Sequence, residues 1–482
     1  MTDTKPNILL VNTDQHRADC LSAAGHPVLE TPNLDAIASG GARFSNAFTT
    51  CASCIAARRA LLTGCHPSTT GVVGYRDGVP IHHPTLPALL AAVGYETALV
   101  GRTMHQFPKD EPYGYATRVL GSTYELDDEY ASFLDWQAPG MGGIRSIGLS
   151  NNGWTVKPWP LDEYLHPTYW AARRATEYID DHEGDAPLFL TLSFYAPHPP
   201  LCPPEHYLRR YEASDIPAPW IGEWATPPAD AGLGFGVDSN HIDLPPRLMK
   251  RAQAAYFGLI NQIDDVIYPA VAAFKRASAQ AGRPWLICMT SDHGEMLGDH
   301  YYFRKAEPYQ GSAAIPLLIQ GSDELDFKHG ATPAGVVCLE DIMPTLLELA
   351  DAPCPDDVDG RSLVSVLRGE SEGVREVLHS EHAECYDSDQ AYHMLTDGKT
   401  KYVWRPATGR EELFDLENDP AECRNLTAGA PETGAAETTA RVDQWRQRLI
   451  EVLSERPEAF VSDGRLVAGR PYEPVMPVAE EL

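Results

Sequence analysis

Four short apolar runs separated by helical patterns limit what this chain can fold into more than any other feature. They are Ile8 to Val11, Thr97 to Val100, Pro187 to Phe194 and Trp285 to Thr290. Each is a continuous apolar stretch rather than an alternating one, as expected of strands buried on both faces. Between them lie patterns of helical period. One opens at Thr31-Pro32-Asn33, continues through Leu34, Ile37 and Ala38, and stops at Gly40-Gly41; another covers Leu86 to Val93 and ends at Gly94. A long one fills residues 247–279, where Pro269 is expected to kink or break it. Strands joined by helices in this way predict an α/β fold with a mainly parallel sheet.

From about residue 376 the character changes. Short strand patterns at His379 to Glu381, Ala391 to Leu395 and Lys401 to Trp404 are separated by turns such as Asp397-Gly398, with a helix expected at 436–454. This predicts a large domain over 1–375 and a smaller C-terminal α+β domain over 376–482. The Pro-, Gly- and aromatic-rich stretches 107–160 and 200–245 read as long excursions over a site.

A chain of 482 residues is long enough for two or three domains. With 38 basic against 68 acidic residues, the net charge is −30. Such a surface repels phosphate backbones and anionic lipid, so neither a nucleic acid nor a membrane surface is expected as a partner. The start, Met1 to Pro6, lacks the basic and apolar regions of an export signal, and the ten cysteines are thinly scattered. Reduced thiols in a cytoplasm are therefore expected. Oligomeric state is left open, a homo-oligomer included.

Three segments carry chemistry. In Cys54-Ile-Ala-Ala-Arg58, a nucleophile candidate sits where a loop becomes a helix, and the helix N-terminus favours an anion there. Arg58 lies one turn further on the same face. Asp14-Gln15 follows the first strand and Asp292-His293 follows the last; ligand sites of open α/β sheets collect at such strand ends. Together these four make a mixed oxygen and nitrogen set suited to one Ca²⁺, Mg²⁺ or Mn²⁺ ion, the imidazole favouring Mn²⁺. Each pair alone has a bland reading: Asp14 caps a turn, and His293 is a satisfied core histidine. Cys51-x-x-Cys54 also reads as a redox pair, or as half a zinc site completed by Cys65-His66. His82-His83 reads as a solvated loop pair, Arg59 as a salt-bridge residue, and Tyr75 as packing or pocket lining.

The segment Cys54 to Gly64 resembles the sulfatase signature C-x-P-S-R-x-x-x-L-T-G of the alkaline-phosphatase superfamily, with Ala56 standing where the family has Pro. Other segments resemble the family's elements in order. They are Asn7 to Gln15, Thr31-Pro-Asn-Leu-Asp35, Gly101-Arg-Thr-Met-His105 with Arg102 for the usual Lys, Ala196-Pro-His198, Asp292-His293-Gly294 with Lys305, and Glu412 to Pro420. The resemblance covers about residues 7 to 427. It implies an alkaline-phosphatase-like domain whose mostly parallel mixed sheet is sandwiched by helices, and a smaller C-terminal domain with an antiparallel sheet.

It further implies that a maturation enzyme oxidises Cys54 to formylglycine, and that Asp14, Gln15, Asp292, His293 and residue 54 hold one divalent ion. Of the two hydroxyls of hydrated formylglycine, one attacks sulfur or phosphorus in line, and the other expels sulfate as the aldehyde re-forms. By the same resemblance Arg58 and His105 steady the nucleophile, His198 and Lys305 hold ester oxygens, one of them protonating the leaving group, and Arg102 joins them in the catalytic set. The substrate expected is a small sulfate monoester, arylsulfatase-like. A phosphonate-monoester or phosphodiester hydrolase is the runner-up, and a non-catalytic or redox binding protein with an unmodified Cys54 is the alternative of another class.

Overall fold

The apolar runs become strands of one seven-stranded mixed sheet: β1 (Asn7–Asp14), β2 (Ala42–Arg43), β3 (Glu96–Gly101), β4 (Thr117–Leu120), β5 (Leu188–Pro197), β6 (Trp285–Ser291) and β7 (Leu317–Gly321). The computed structural model describes residues 4–103, 105–123, 125–182, 184–229, 234–428 and 435–477. The strand order is β2-β7-β6-β1-β5-β3-β4. Neighbours from β6 to β4 run parallel, while β7 and β2 close one edge antiparallel. Consecutive side chains along β1 enter different cores, as strand geometry requires. Leu9 and Val11 pack in one cluster with Leu190, Leu192, Ile287 and Met289, whereas Ile8 and Leu10 pack in another with Phe189, Leu99, Leu286 and Cys288.

Helices cover both faces. α1 (Pro32–Ser39), α3 (Pro167–Asp180) and α4 (Pro246–Gln280) fill the first core, while α2 (Cys54–Thr63) contributes Ala57 and Leu61 to the second. The expected break at Pro269 does not occur, because α4 runs through it. Pro269 and Asp265, whose carbonyl would have received the missing bond, are both exposed, so that carbonyl is left on the solvent side of the helix. Ile263, Ile267, Ala270 and Phe274 meanwhile keep the buried face continuous.

The C-terminal part is an antiparallel meander of β8 (Leu378–His382), β9 (Tyr392–Thr396), β10 (Thr400–Trp404) and β11 (Glu411–Asp415). The helix α5 (Ala435–Leu453) lays Val442, Trp445, Leu449 and Leu453 against Tyr402, Trp404 and Leu413. This unit is stitched to the loops flanking α2, where Glu381 N donates to Thr50 O at 2.8 Å and Ala383 N to Val73 O at 2.8 Å. Among the described residues no helix is long and apolar enough to cross a membrane.

Candidate active site

Strand register brings the two carboxylates together. Thr13 of β1 pairs with Ser291 of β6, so Asp14 and Asp292 leave adjacent parallel strands side by side at their carboxyl ends. Gln15 N donates to Asp292 Oδ1 at 3.0 Å, which requires a positive φ of 66° at Gln15. Such backbone costs about 1–3 kcal/mol and persists only where its surroundings impose it. On the other flank β5 ends at Pro197, and His198 N donates to Asp14 O at 3.1 Å. β3 ends at Gly101, whose φ is +103° and where a Cβ would lie 2.0 Å from Ser193 O. Only glycine can turn the chain there and deliver Arg102.

Cys54 is the first residue of α2, at the positive end of the helix. Its Sγ lies 2.9 Å from Lys305 Nζ, 3.2 Å from His293 Nε2 and 4.0 Å from Asp14 Oδ1. One turn on, Arg58 spans both carboxylates, with Nη2 2.9 Å from Asp14 and Nε 2.9 Å from Asp292. Arg102 Nη1 reaches Asp14 at 2.7 Å, and its guanidinium lies 4.2 Å from the centre of the Tyr195 ring. Lys305 Nζ also donates to Gln15 Oε1 at 3.1 Å and lies 3.0 Å from His198 Nε2. Asp14, Cys54, Asp292 and His293 have no accessible surface.

The charges follow from these contacts. Burial pushes the Asp14 carboxyl up, but Arg102, with Arg58 and Lys305, holds it well below the usual carboxylate range. Burial, then Lys305, hold the His198 imidazole well below its ordinary value, so it is neutral. Burial, then the carboxylates of Asp14 and Asp292, push the Cys54 thiol up to about 12 against Lys305 and Arg102. An unmodified Cys54 is thus a protonated, weakly nucleophilic thiol at neutral pH, which argues against redox chemistry there.

The donor set fits a divalent cation. One donor atom each from Asp14, Cys54, Asp292 and His293 lies within 4.8 Å of the others. His293 Nδ1 is 2.8 Å from Gly294 O, so it carries the proton and leaves Nε2 bare toward Cys54. Gln15 Nε2 donates to Glu295, which turns Gln15 Oε1 toward Lys305 Nζ, the group that also reaches Cys54. Two carboxylates, a carboxamide oxygen and an imidazole make a hard, oxygen-rich set that Ca²⁺, Mn²⁺ or Mg²⁺ can use.

His105 stands at the rim. Its Nδ1 is 3.2 Å from Asp77, its ring meets Tyr75 edge-on, and its buried Nε2 has no hydrogen-bond partner among the described residues. With Arg102 it lines a cavity of about 1290 Å³ that also includes Asp77, Phe107, Lys109 and Arg118. Arg59 makes hydrogen bonds to the carbonyls of Val79 and Pro80 where a salt bridge was expected. The zinc reading of Cys51, Cys54, Cys65 and His66 fails: Cys51 packs against Ile55, Ala56 and Val72, and Cys65 faces a different cluster from Cys54.

Two contributions escaped the sequence. Glu295, three residues after Asp292, accepts from Leu297 N at 2.8 Å and from Arg304 N besides orienting Gln15. Its place beside Asp292-His293-Gly294 was the available signal. The C-terminal unit also walls the site: Gln390 Nε2 donates to Glu307 at 3.0 Å, and the Arg304 guanidinium lies 5.3 Å from the centre of the Tyr386 ring. No local pattern announces that contact.

Comparison with known proteins identifies the family. The family model described as Sulfatase matches residues 6–352, and that of the N-sulphoglucosamine sulphohydrolase C-terminal region matches residues 298–450. An arylsulfatase of Clostridium perfringens is 35% identical, covering 97% of this chain and 98% of its own. A multifunctional alkaline phosphatase superfamily protein of Trinickia caryophylli is 31% identical over 89% of this chain and 92% of its own. The crystal structure of a phosphonate monoester hydrolase of Agrobacterium radiobacter shares the fold with a TM-score of 0.77 at 24% identity, covering 97% of this chain and all of that one. With the family model spanning residues 6–352, where the strand-end carboxylates and the Cys54 helix lie, and a relative 35% identical over nearly the whole chain, the chain belongs to the sulfatase family.

Proposed function

We propose that this protein is a metal-dependent hydrolase of small sulfate monoesters, working through formylglycine made from Cys54 by a maturation enzyme. The observation that carries the reading is the placement of Cys54 Sγ at a helix N-terminus, between Lys305 Nζ at 2.9 Å and His293 Nε2 at 3.2 Å. Formylglycine at this position, once hydrated, supplies one hydroxyl to attack sulfur and a second to expel sulfate. A divalent ion held by Asp14, Gln15, Asp292 and His293 supplies Lewis-acid neutralisation of charge on the transferring group.

The chain's own residues do the rest. Arg58 ties Asp14 to Asp292, orienting both, and helps hold the Asp14 carboxyl low. Lys305 donates to the sulfate oxygens and holds, 3.0 Å from neutral His198, the proton that this pair delivers to the departing oxygen. Arg102 and His105 border the cavity where the alcohol portion lies, with His105 Nε2 available to it. The ten cysteines are all free, which supports a reducing, cytoplasmic setting.

The runner-up is hydrolysis of phosphonate monoesters or phosphodiesters, favoured by the same donor set and by the likeness to the phosphonate monoester hydrolase fold. Mass spectrometry of the peptide spanning residues 44–58, from protein made in its native host, is expected to show formylglycine. Thiol alone at position 54 would overturn the proposal. Turnover of 4-nitrophenyl sulfate is expected to exceed that of phenylphosphonate esters; the reverse by orders of magnitude selects the runner-up.

A further inference from the structure

A second cluster of metal-ligating side chains lies at the far end of the nucleophile helix. α2 ends at Gly64, whose φ of +68° turns the chain so that Cys65 points at the loop carrying His83 and at the segment 354–359. Gly64 O accepts from Asp359 N at 3.1 Å and from Gly360 N at 3.0 Å, and His66 N donates to Asp359 at 2.7 Å, so the backbone here is already fixed. On this frame Cys65 Sγ lies 3.7 Å from His83 Nδ1, and His83 Nδ1 lies 3.0 Å from Asp357 Oδ2. All three donor atoms fall within 4.8 Å of one another. In tetrahedral zinc sites, Zn–S near 2.3 Å and Zn–N or Zn–O near 2.1 Å separate sulfur from nitrogen by about 3.6 Å and nitrogen from oxygen by about 3.4 Å. The observed edges match that geometry after a small rotation of Asp357, whose side chain is half exposed.

We propose that Cys65, His83 and Asp357 form a Zn²⁺ site, distinct from the Asp14 cluster, with its fourth position open to solvent. The donors are one thiolate, one imidazole and one carboxylate, a set that selects a borderline-soft ion over Ca²⁺ or Mg²⁺. Cys65 is buried, His83 is partly accessible and Asp357 faces solvent, which leaves an entry path for the ion. On binding, the Cys65 thiol releases its proton to solvent, and His83 shifts its proton to Nε2 as Nδ1 turns to the metal. The ion would clamp the C-terminus of α2 to two loops, 65–83 and 354–359. His83, which reads in sequence as one of a solvated pair, is thereby given a partner.

The test uses the full chain in a Cys54→Ala background, which removes the active-site sulfur. After treatment with a chelator, Co²⁺ is titrated in as the probe. A sulfur-to-cobalt charge-transfer band with tetrahedral visible bands is expected, and Zn²⁺ should displace both. Adding Cys65→Ala should abolish the charge-transfer band; adding His83→Ala, a partly exposed position where folding is not at risk, should weaken Co²⁺ binding at least about 100-fold. Zn²⁺ should raise the Tm of the Cys54→Ala protein and not that of its His83→Ala derivative. Absence of the band in Cys54→Ala, its survival in Cys65→Ala, or an unchanged Co²⁺ affinity in His83→Ala would each overturn the proposal.

Discussion

Lys305 Nζ touches three groups at once, Cys54 Sγ at 2.9 Å, His198 Nε2 at 3.0 Å and Gln15 Oε1 at 3.1 Å, and so fixes the surroundings of position 54. Replacing Cys54 by Ala is expected to lower turnover of 4-nitrophenyl sulfate at least about 1,000-fold with the far-UV circular dichroism unchanged, since the side chain acts only in the chemistry. Retained turnover would remove residue 54 from the mechanism. Glu295 acts through Gln15. Truncation to Ala frees the carboxamide to rotate and is expected to weaken the active-site divalent ion about 10–100-fold in chelator competition. Glu295→Gln keeps an acceptor for Leu297 N and Arg304 N, so its metal affinity isolates the bond to Gln15.

At the scale of elements, the site depends on four parallel strands ending side by side, and Gly101 is the tightest of those endings. Gly101→Ala puts a Cβ 2.0 Å from Ser193 O at a φ of +103°, so β3 and β5 must part. A loss of about 2–4 kcal/mol in denaturant unfolding is expected, with a fall in kcat as Arg102 swings away from Asp14. An unchanged unfolding midpoint would mean the backbone relaxes freely there. The strands were readable in the sequence because β1, β3, β5 and β6 are unbroken apolar runs buried on both faces. The passage of α4 through Pro269 was not, since it depends on which side of the helix faces solvent. The same holds for Gln390 and Tyr386, which reach the Arg304–Glu307 segment only because β8 hydrogen-bonds to the loop before α2.

Across the whole molecule, buried neutral histidines set the response to acid. Burial lowers His166 and His393 to about 3 and His16, His300 and His382 to about 4. An unfolded chain protonates these rings below about 6.5, while the folded chain does not until about 3–4, so the unfolded state binds more protons in that window. Stability is therefore complete above about pH 6.5 and falls as the pH drops, by about 1.4 kcal/mol per pH unit per histidine. Burial raises Glu307 to about 7 and Asp128 and Asp264 to about 6, which acts in the opposite sense but at fewer sites. Below about pH 4.5 Glu381 adds to the loss: burial pushes it up, and the Arg456 guanidinium outweighs burial and holds it low. The Tm is expected to decline from pH 6.5 to 4.5; a flat or rising Tm would contradict this balance.

The sequence by itself determined the layered α/β architecture, the strand-end carboxylates and a nucleophile candidate at a helix start. These rest on local periodicity, on glycine and proline stops, and on short motifs whose residues are neighbours along the chain. It also showed a net charge of −30. Only the tertiary structure decided how an anion is received inside such a chain. Arg58, Arg102 and Lys305 come from three separate segments and meet at buried Asp14 and Cys54, where burial makes their attraction strong and short-ranged. It alone set Cys65 against His83 and Asp357, nearly three hundred residues apart in the chain. Such meetings follow from strand register and loop packing, which bring together residues that no window of sequence contains.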